Sequence, residues 1–210
     1  MTSDSDPVPS PGAVPDSSKV TDDVLHVVQL ARKSHICHFY ENREDLVEAL
    51  VPFFKEGLER GEFCLWGCDA PLPTTEAMAE LTRAVPDIET YVQRGQLEIF
   101  NASDLYQARF DHQSSYDRFM SVVQHALRRG FTGFRCDGNT SGVPSKDFLN
   151  FMLYEAAVDV GIRPFNITAM CSYPLAKCSV AEITSVRQRH QSVLIKRGEA
   201  WEFSPAPSGH

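Results

Sequence analysis

Two histidines bracket a cysteine in His35-Ile-Cys-His-Phe-Tyr40, and Cys171 and His190 lie far along the chain. Imidazole nitrogen and thiolate sulfur are zinc-type ligands, and Cys with His is also the pairing of a thiol nucleophile and its base. In an extended strand, residues i and i+2 share a face. His35 and Cys37 therefore share one face, and His38 and Tyr40 the other. A metal held by His35, Cys37 or His38 would need ligands from elsewhere, with Cys171, Cys68 and His190 as candidates. The competing reading is that buried cysteines act as small hydrophobes. No C-x-x-C pair exists among Cys37, Cys64, Cys68, Cys136, Cys171 and Cys178, which argues against a zinc ribbon or thioredoxin motif. The expectation is no resident metal, no cofactor and no catalytic residue.

Arg135 stands in a segment that should be a buried strand, and Tyr154-Glu155 stands in an otherwise apolar helix. A buried guanidinium must face a carboxylate or an anionic ligand. Glu155 and Asp137 are the expected partners, with Arg135 either in a structural ion pair or poised at a pocket.

The elements that position these residues alternate. Strands are expected at 35–40, 62–67, 97–100, 132–136 and 165–171. Helices are expected at 22–31, 44–60 (kinked at Pro52), 74–84, 87–93, 114–129, 146–160 and 180–189. The runs 192–195 and 200–203 flank Lys196-Arg197-Gly198 as a hairpin. Helix-length crossovers between strands imply a mainly parallel α/β sheet covered on both faces, with the hairpin adding antiparallel strands. Residues 1–19 and 204–210, rich in Pro and Ser, read as disordered tails around one domain at 20–203.

Ligands of such sheets bind outside the carboxyl ends of the strands. The residues there are Tyr40, Cys68, Asp69, Asn101, Asp137, Gly138, Cys171, Ser172 and Tyr173. Hydrogen-bonding tips with aromatics among them suit a small-molecule crevice. A phosphate site is not expected, because Tyr40-Glu41-Asn42-Arg43 supplies no glycine-rich turn after the first strand. A net charge of −8 disfavours direct nucleic-acid binding. No apolar run suits a membrane span and no signal peptide is evident, so the expected location is the cytoplasm.

Taken in order, His35-Ile-Cys-His-Phe-Tyr40, Pro52-Phe-Phe-Lys-Glu-Gly-Leu58, Glu62-Phe-Cys-Leu-Trp66 and Gly95-Gln-Leu-Glu-Ile99 resemble successive motifs of the MEDS domain. So do Asp104-Leu-Tyr106, Gly133-Phe-Arg135, Tyr154-Glu155, Cys171-Ser-Tyr-Pro-Leu175, His190 and Trp201-Glu202. MEDS is the sensory domain of methanogens and methylotrophs, first described in the repressor that controls dichloromethane dehalogenase. The resemblance implies a RecA-like (KaiC-like) three-layer sheet without a phosphate loop. It also implies a sensor of small molecules, hydrocarbon derivatives among them. Two departures bear on the pocket: Thr140-Ser-Gly-Val143 replaces a tryptophan usual after Gly138, and Leu105 replaces an aromatic before Tyr106.

The resulting expectation is a stand-alone sensory domain, not an enzyme, that binds a small, partly apolar molecule. Its ligand-binding residues would be Tyr40, Trp66, Asn101, Arg135, Asp137, Tyr154, Glu155, Cys171 and Tyr173. Its output would pass to a kinase, an anti-sigma-type module or a transcription regulator. The alternatives are a Cys/His redox or metal sensor and a Cys-His enzyme built on Cys171 and His190. Without a glycine-rich turn, the purified protein should show no ATP binding in micromolar calorimetry and no ATP hydrolysis. A calorimetric signal at micromolar ATP would overturn this.

Overall fold

The computed structural model describes residues 32–105 and 110–206. The expected tail 1–19, the expected helix 22–31, Tyr106 and residues 207–210 lie outside the described residues. The strands are β1 (His35–Tyr40), β2 (Phe63–Cys68), β3 (Leu97–Asn101), β4 (Phe134–Asn139), β5 (Ile167–Pro174), β6 (Ser192–Arg197) and β7 (Ala200–Pro205). The helices are α1 (Arg43–Glu59), α2 (Thr74–Ala84), α3 (Ile88–Gln93), α4 (His112–Arg128), α5 (Phe148–Gly161) and α6 (Val180–Arg187).

The strands form one seven-stranded sheet in the order β3-β2-β4-β5-β1-β6-β7. Every pairing is parallel except that of β6 with β7. Each parallel neighbour is reached through a helix, which right-handed crossover chemistry requires. Because side chains alternate along a strand, Ile36 and Tyr40 enter the core beneath α1 and α2. Cys37 and Phe39 enter the opposite core with Phe151 of α5 and Val186 of α6. Phe63, Phe134 and Ile167 extend that second layer under α4, packing with Val123 and Val158.

α1 begins where Asn42 accepts the Asp45 N–H at 3.0 Å, a side-chain cap that satisfies one of the helix's orphan donors. Leu46, Leu50, Phe53, Phe54 and Leu58 then bury one stripe. Pro52 lies inside the helix without ending it, and Gly61 stops the chain at φ +77. In a phosphate-binding fold of this kind, the anion occupies the start of this first helix. Here the Asp45 carboxylate also accepts the Glu41 N–H at 2.9 Å and is itself buried. The chain thus places its own carboxylate at that corner, which adds a reason to expect no ATP affinity.

Two strands and one end differ from expectation. β4 and β5 run to Asn139 and Pro174, past residues whose polarity suggested loops. Interior parallel strands receive backbone hydrogen bonds from both sides, so polar side chains do not end them while their own partners exist. β7 continues through Ser204 and Pro205 into the segment expected as a tail, and the Ala206 N–H bonds the Gln191 carbonyl at 2.9 Å. Pro205 is tolerated because β7 is an edge strand.

Arg135 corrects the expected pairing. It is fully buried, but its Nε meets Glu62 at 2.6 Å, and one terminal nitrogen meets Glu56 and the Phe53 carbonyl, each at 2.9 Å. Its guanidinium also lies 4.7 Å from the Phe53 ring centre. Glu155 is on the other face of the sheet, and Asp137 bonds elsewhere. Arg135 therefore clamps β4 to the end of α1 and the start of β2. The approach is close: a Cβ placed on Gly57 would sit 2.7 Å from the Arg135 Cδ and 2.8 Å from the Cys64 Sγ.

Arg135→Met would take the buried cation from two largely buried carboxylates and leave them only the part-exposed Arg32, 3.3 Å from Glu56, and Arg60, 3.5 Å from Glu62. It should cost roughly 3–5 kcal/mol in chemical denaturation, as breaking a buried pair does. A loss below about 1 kcal/mol would show that the clamp contributes little.

Candidate functional site

On the face covered by α4 and α5, the sheet and helices enclose a cavity of about 420 Å³. Leu65 and Phe100 of the sheet, Phe110, Phe119 and Val122 near or on α4, and Phe151 and Tyr154 of α5 form largely apolar walls. Asp104 and Leu105, in the short 3-10 turn after β3, border it, so the leucine that replaces an aromatic does line the pocket. Gly138 lines it too. Polar groups enter at Glu155 and Cys171, and Glu98, Asp104, Asp111, Ser114, Ser115 and Arg118 also line the chamber. A concave, mostly apolar chamber with a few convergent polar atoms is what a small-molecule site requires.

Glu155 and Cys171 belong to a buried cluster. Glu155 has no exposed surface, and its Oε2 lies 3.1 Å from His35 Nε2 and 3.2 Å from His190 Nε2. Cys171 Sγ is 3.5 Å from the same oxygen and 3.7 Å from His35 Nε2. The two imidazoles stack with ring centres 4.0 Å apart. Register brings this about: Cys171 pairs with Cys37 across β5 and β1, which places His35 one strand position away on the same face. Glu155 comes down from α5, and His190 follows α6, its Nδ1 donating to the Val186 carbonyl at 2.8 Å. Behind His35, the Asp159 carboxylate stands 3.7 Å from Nδ1 and is held by the Gln191 side chain at 3.0 Å.

The electrostatics are tense. Burial alone would raise the Glu155 pKa, but His190 and His35 outweigh it and hold the carboxylate ionised. Burial would likewise lower His35, but Asp159 and Glu155 raise it to about 9. Burial and the neighbouring His35 charge push His190 down, towards neutrality. His190 Nε2, 3.2 Å from Glu155 Oε2, is buried without a hydrogen-bond partner among the described residues. Glu155 Oε1 is also buried without a hydrogen-bond partner among the described residues. Burial and the Glu155 charge raise the Cys171 thiol well above its usual value, which opposes its use as a free thiolate nucleophile.

The expected site residues divide between the two faces. Tyr154, Glu155 and Cys171 gather at the cavity, and Tyr173 continues along the same face beside His190. Of the expected metal candidates, His35 joins the cluster. Cys37 packs into the neighbouring apolar core, and His38 points to the opposite face. On that opposite face, Tyr40 donates to Asn139 at 3.2 Å and Trp66 stacks on Phe54 at 4.7 Å, both as core residues away from the cavity. Asn101 caps the turn after β3, accepting the Ser103 N–H at 3.3 Å. Asp137 borders the cavity, but its carboxylate turns to the opposite face, where Ser172 donates to it at 2.6 Å and His38 Nδ1 reaches Ser172 at 3.0 Å. Sequence reasoning missed Phe110, Phe119, Val122, Phe151 and Asp159. The apolar ones carry no signal that separates a cavity wall from an ordinary core.

Comparison with known proteins places this geometry. The profile of MEDS, the methanogen/methylotroph DcmR sensory domain, matches residues 34–191. The transcriptional repressor DcmR of Methylorubrum extorquens is 25% identical over 168 residues, covering 78% of this chain and 60% of the repressor. The chain thus spans about 60% of the length of that relative. An uncharacterised Pyrococcus horikoshii protein, crystallised with an unknown peptide, superposes with a TM-score of 0.58 at 14% identity, over 79% of this chain and 78% of that one. A KaiC-like protein of the same archaeon gives 0.53 at 12% identity, over 78% and 71%. The last two establish a KaiC-like, RecA-like fold.

Asp137 leaves a signature in stability. Burial raises its pKa from 3.8 to about 8, against the opposing hydrogen bond from Ser172. The folded state therefore keeps a proton that the unfolded state sheds above its ordinary pKa. Stability should fall as pH rises from about 4 to about 8 and level off above that. Asp137→Asn keeps the neutral shape without the proton. Its stability relative to the parent should grow by at least ~1 kcal/mol between pH 5 and pH 9 in denaturant melts. A gap that stays constant with pH would show that Asp137 is not held neutral.

Proposed function

Because this chain belongs to the MEDS family of sensory domains, we propose that its cavity receives a small, partly apolar molecule of the hydrocarbon-derivative class. A sensory and regulatory role is the premise; the ligand class is the step added here. The observation that carries it is the chamber of about 420 Å³, with apolar walls from Leu65, Phe110, Phe119, Val122 and Phe151 and polar groups at Glu155 and Cys171 and along Asp111, Ser114, Ser115 and Arg118. Such a lining rewards a ligand with a hydrocarbon body and a polar or polarisable part. An all-polar ligand would lose its hydration against the aromatic walls.

α5 gives the sensor a moving part that ligand contact can reach. It carries Phe151, Tyr154, Glu155 and Val158 into the cavity wall, so occupancy bears directly on its position. The output passes to a signalling protein: a kinase, an anti-sigma-type module or a transcription regulator. The support for this step is the match to a transcriptional repressor.

A thermal-shift screen of short alcohols, ketones, amines and halogenated hydrocarbons tests the cavity. A binder present at 100 times its dissociation constant should stabilise the protein by about 2.7 kcal/mol. Val122→Trp would fill the chamber from α4, so it should keep the fold and abolish that stabilisation. A hit that stabilises the variant and the parent equally would place the binding elsewhere.

A further inference from the structure

We propose that His35, Glu155, Cys171 and His190 form a binding site for one divalent transition-metal ion, with zinc the best fit. The inference is independent of what the cavity binds.

The geometry is that of a coordination sphere. One ligand atom from each of the four residues can be chosen so that all lie within 4.8 Å of one another. A tetrahedral zinc ion with Zn–N near 2.0–2.1 Å and Zn–S near 2.3 Å needs ligand-to-ligand edges of roughly 3.3–3.6 Å. Four of the six separations, 3.1, 3.2, 3.5 and 3.7 Å, bracket that range, and all six lie within 4.8 Å. Two imidazoles, a thiolate and a carboxylate suit a borderline-soft ion and are a poor set for magnesium or calcium.

The outer contacts are those that orient metal ligands. A ligating histidine donates its other ring N–H to a carbonyl or carboxylate, which fixes the tautomer and aims the free nitrogen at the metal. His190 does so to Val186 at 2.8 Å. His35 Nδ1 faces the Asp159 carboxylate at 3.7 Å, a charge contact longer than a hydrogen bond, with Asp159 held by Gln191 at 3.0 Å and Arg163 at 2.5 Å.

The charge count agrees. A divalent ion with the Glu155 carboxylate and the Cys171 thiolate makes a neutral buried centre. It gives His190 Nε2, buried without a hydrogen-bond partner among the described residues, a cation to bind. Coordination also draws the proton from the thiol, which burial alone would retain. Glu155 and Cys171 line the cavity while the two histidines stand behind them. The ion therefore has an approach from the chamber and closes its inner end.

The test uses the full chain without a histidine tag, stripped with chelator and titrated with Co²⁺. Expected are one equivalent bound, the intense visible bands of tetrahedral cobalt, a thiolate-to-cobalt band in the near ultraviolet, and displacement by Zn²⁺. His190→Ala and Cys171→Ser should each weaken binding by at least ~100-fold, and Cys171→Ser should lose the thiolate band. Cys178→Ser should change nothing. If the variants fail to fold, alkylation of the parent mapped by peptide mass decides instead, since Zn²⁺ should protect Cys171. Absence of uptake at micromolar metal, uptake untouched by both substitutions, or Cys171 alkylated equally fast with and without zinc would overturn the proposal.

Discussion

In the interior strands β1, β4 and β5 of a sheet covered on both sides, each side chain has one of two destinations, and neither of them is open water. Any ionisable group on such a strand must find its counter-charge, give up its charge, or gather donors around it. This protein does all three within a few residues. Arg135 meets two carboxylates, Asp137 keeps its proton, and Glu155, descending from α5, collects His35, His190 and Cys171. Which solution each group finds depends on the face it occupies, so strand alternation sets the chemistry before any particular contact does.

That alternation is visible in the sequence, and it was enough to separate His35 and Cys37 from His38 and Tyr40. The element order, the hairpin and the absence of a phosphate loop were visible for similar local reasons: helical periodicity, glycine stops and turn chemistry. Register between strands was not. Parity within one strand is a local property, but the face shared by Arg135 and Glu62, or by Cys171 and His35, is fixed only once β4, β2, β5 and β1 are aligned. Arg135 was therefore assigned a carboxylate from the wrong layer, and Trp66 and Tyr40 were drawn towards a pocket that lies behind the sheet from them. Polarity also misled at Asp137 and Ser172. Their mutual hydrogen bond lets an interior strand run through residues that, taken singly, read as a loop.

The cavity and the Glu155 cluster are not independent neighbours. Tyr154 and Glu155 are consecutive on α5, and Cys171 faces both the chamber and the histidines. A shift of α5 along or away from the sheet changes the chamber's width and the Glu155 distances together. The face beneath α1, by contrast, is closed by the Arg135 clamp and by stacked aromatics such as Phe54 and Trp66. The cavity thus lies on one side of the sheet, and the other side is filled by side chains.

The contact between Gly57 and Arg135 has an evolutionary consequence. A side chain at position 57 would need the space held by the guanidinium stem and the Cys64 sulfur, while a shorter residue at 135 would abandon Glu56 and Glu62. Neither position can drift alone without passing through a less stable intermediate. The helix end, the strand and their two acidic companions should be inherited as a block, and related chains that lose the arginine should be those in which position 57 has been released to vary.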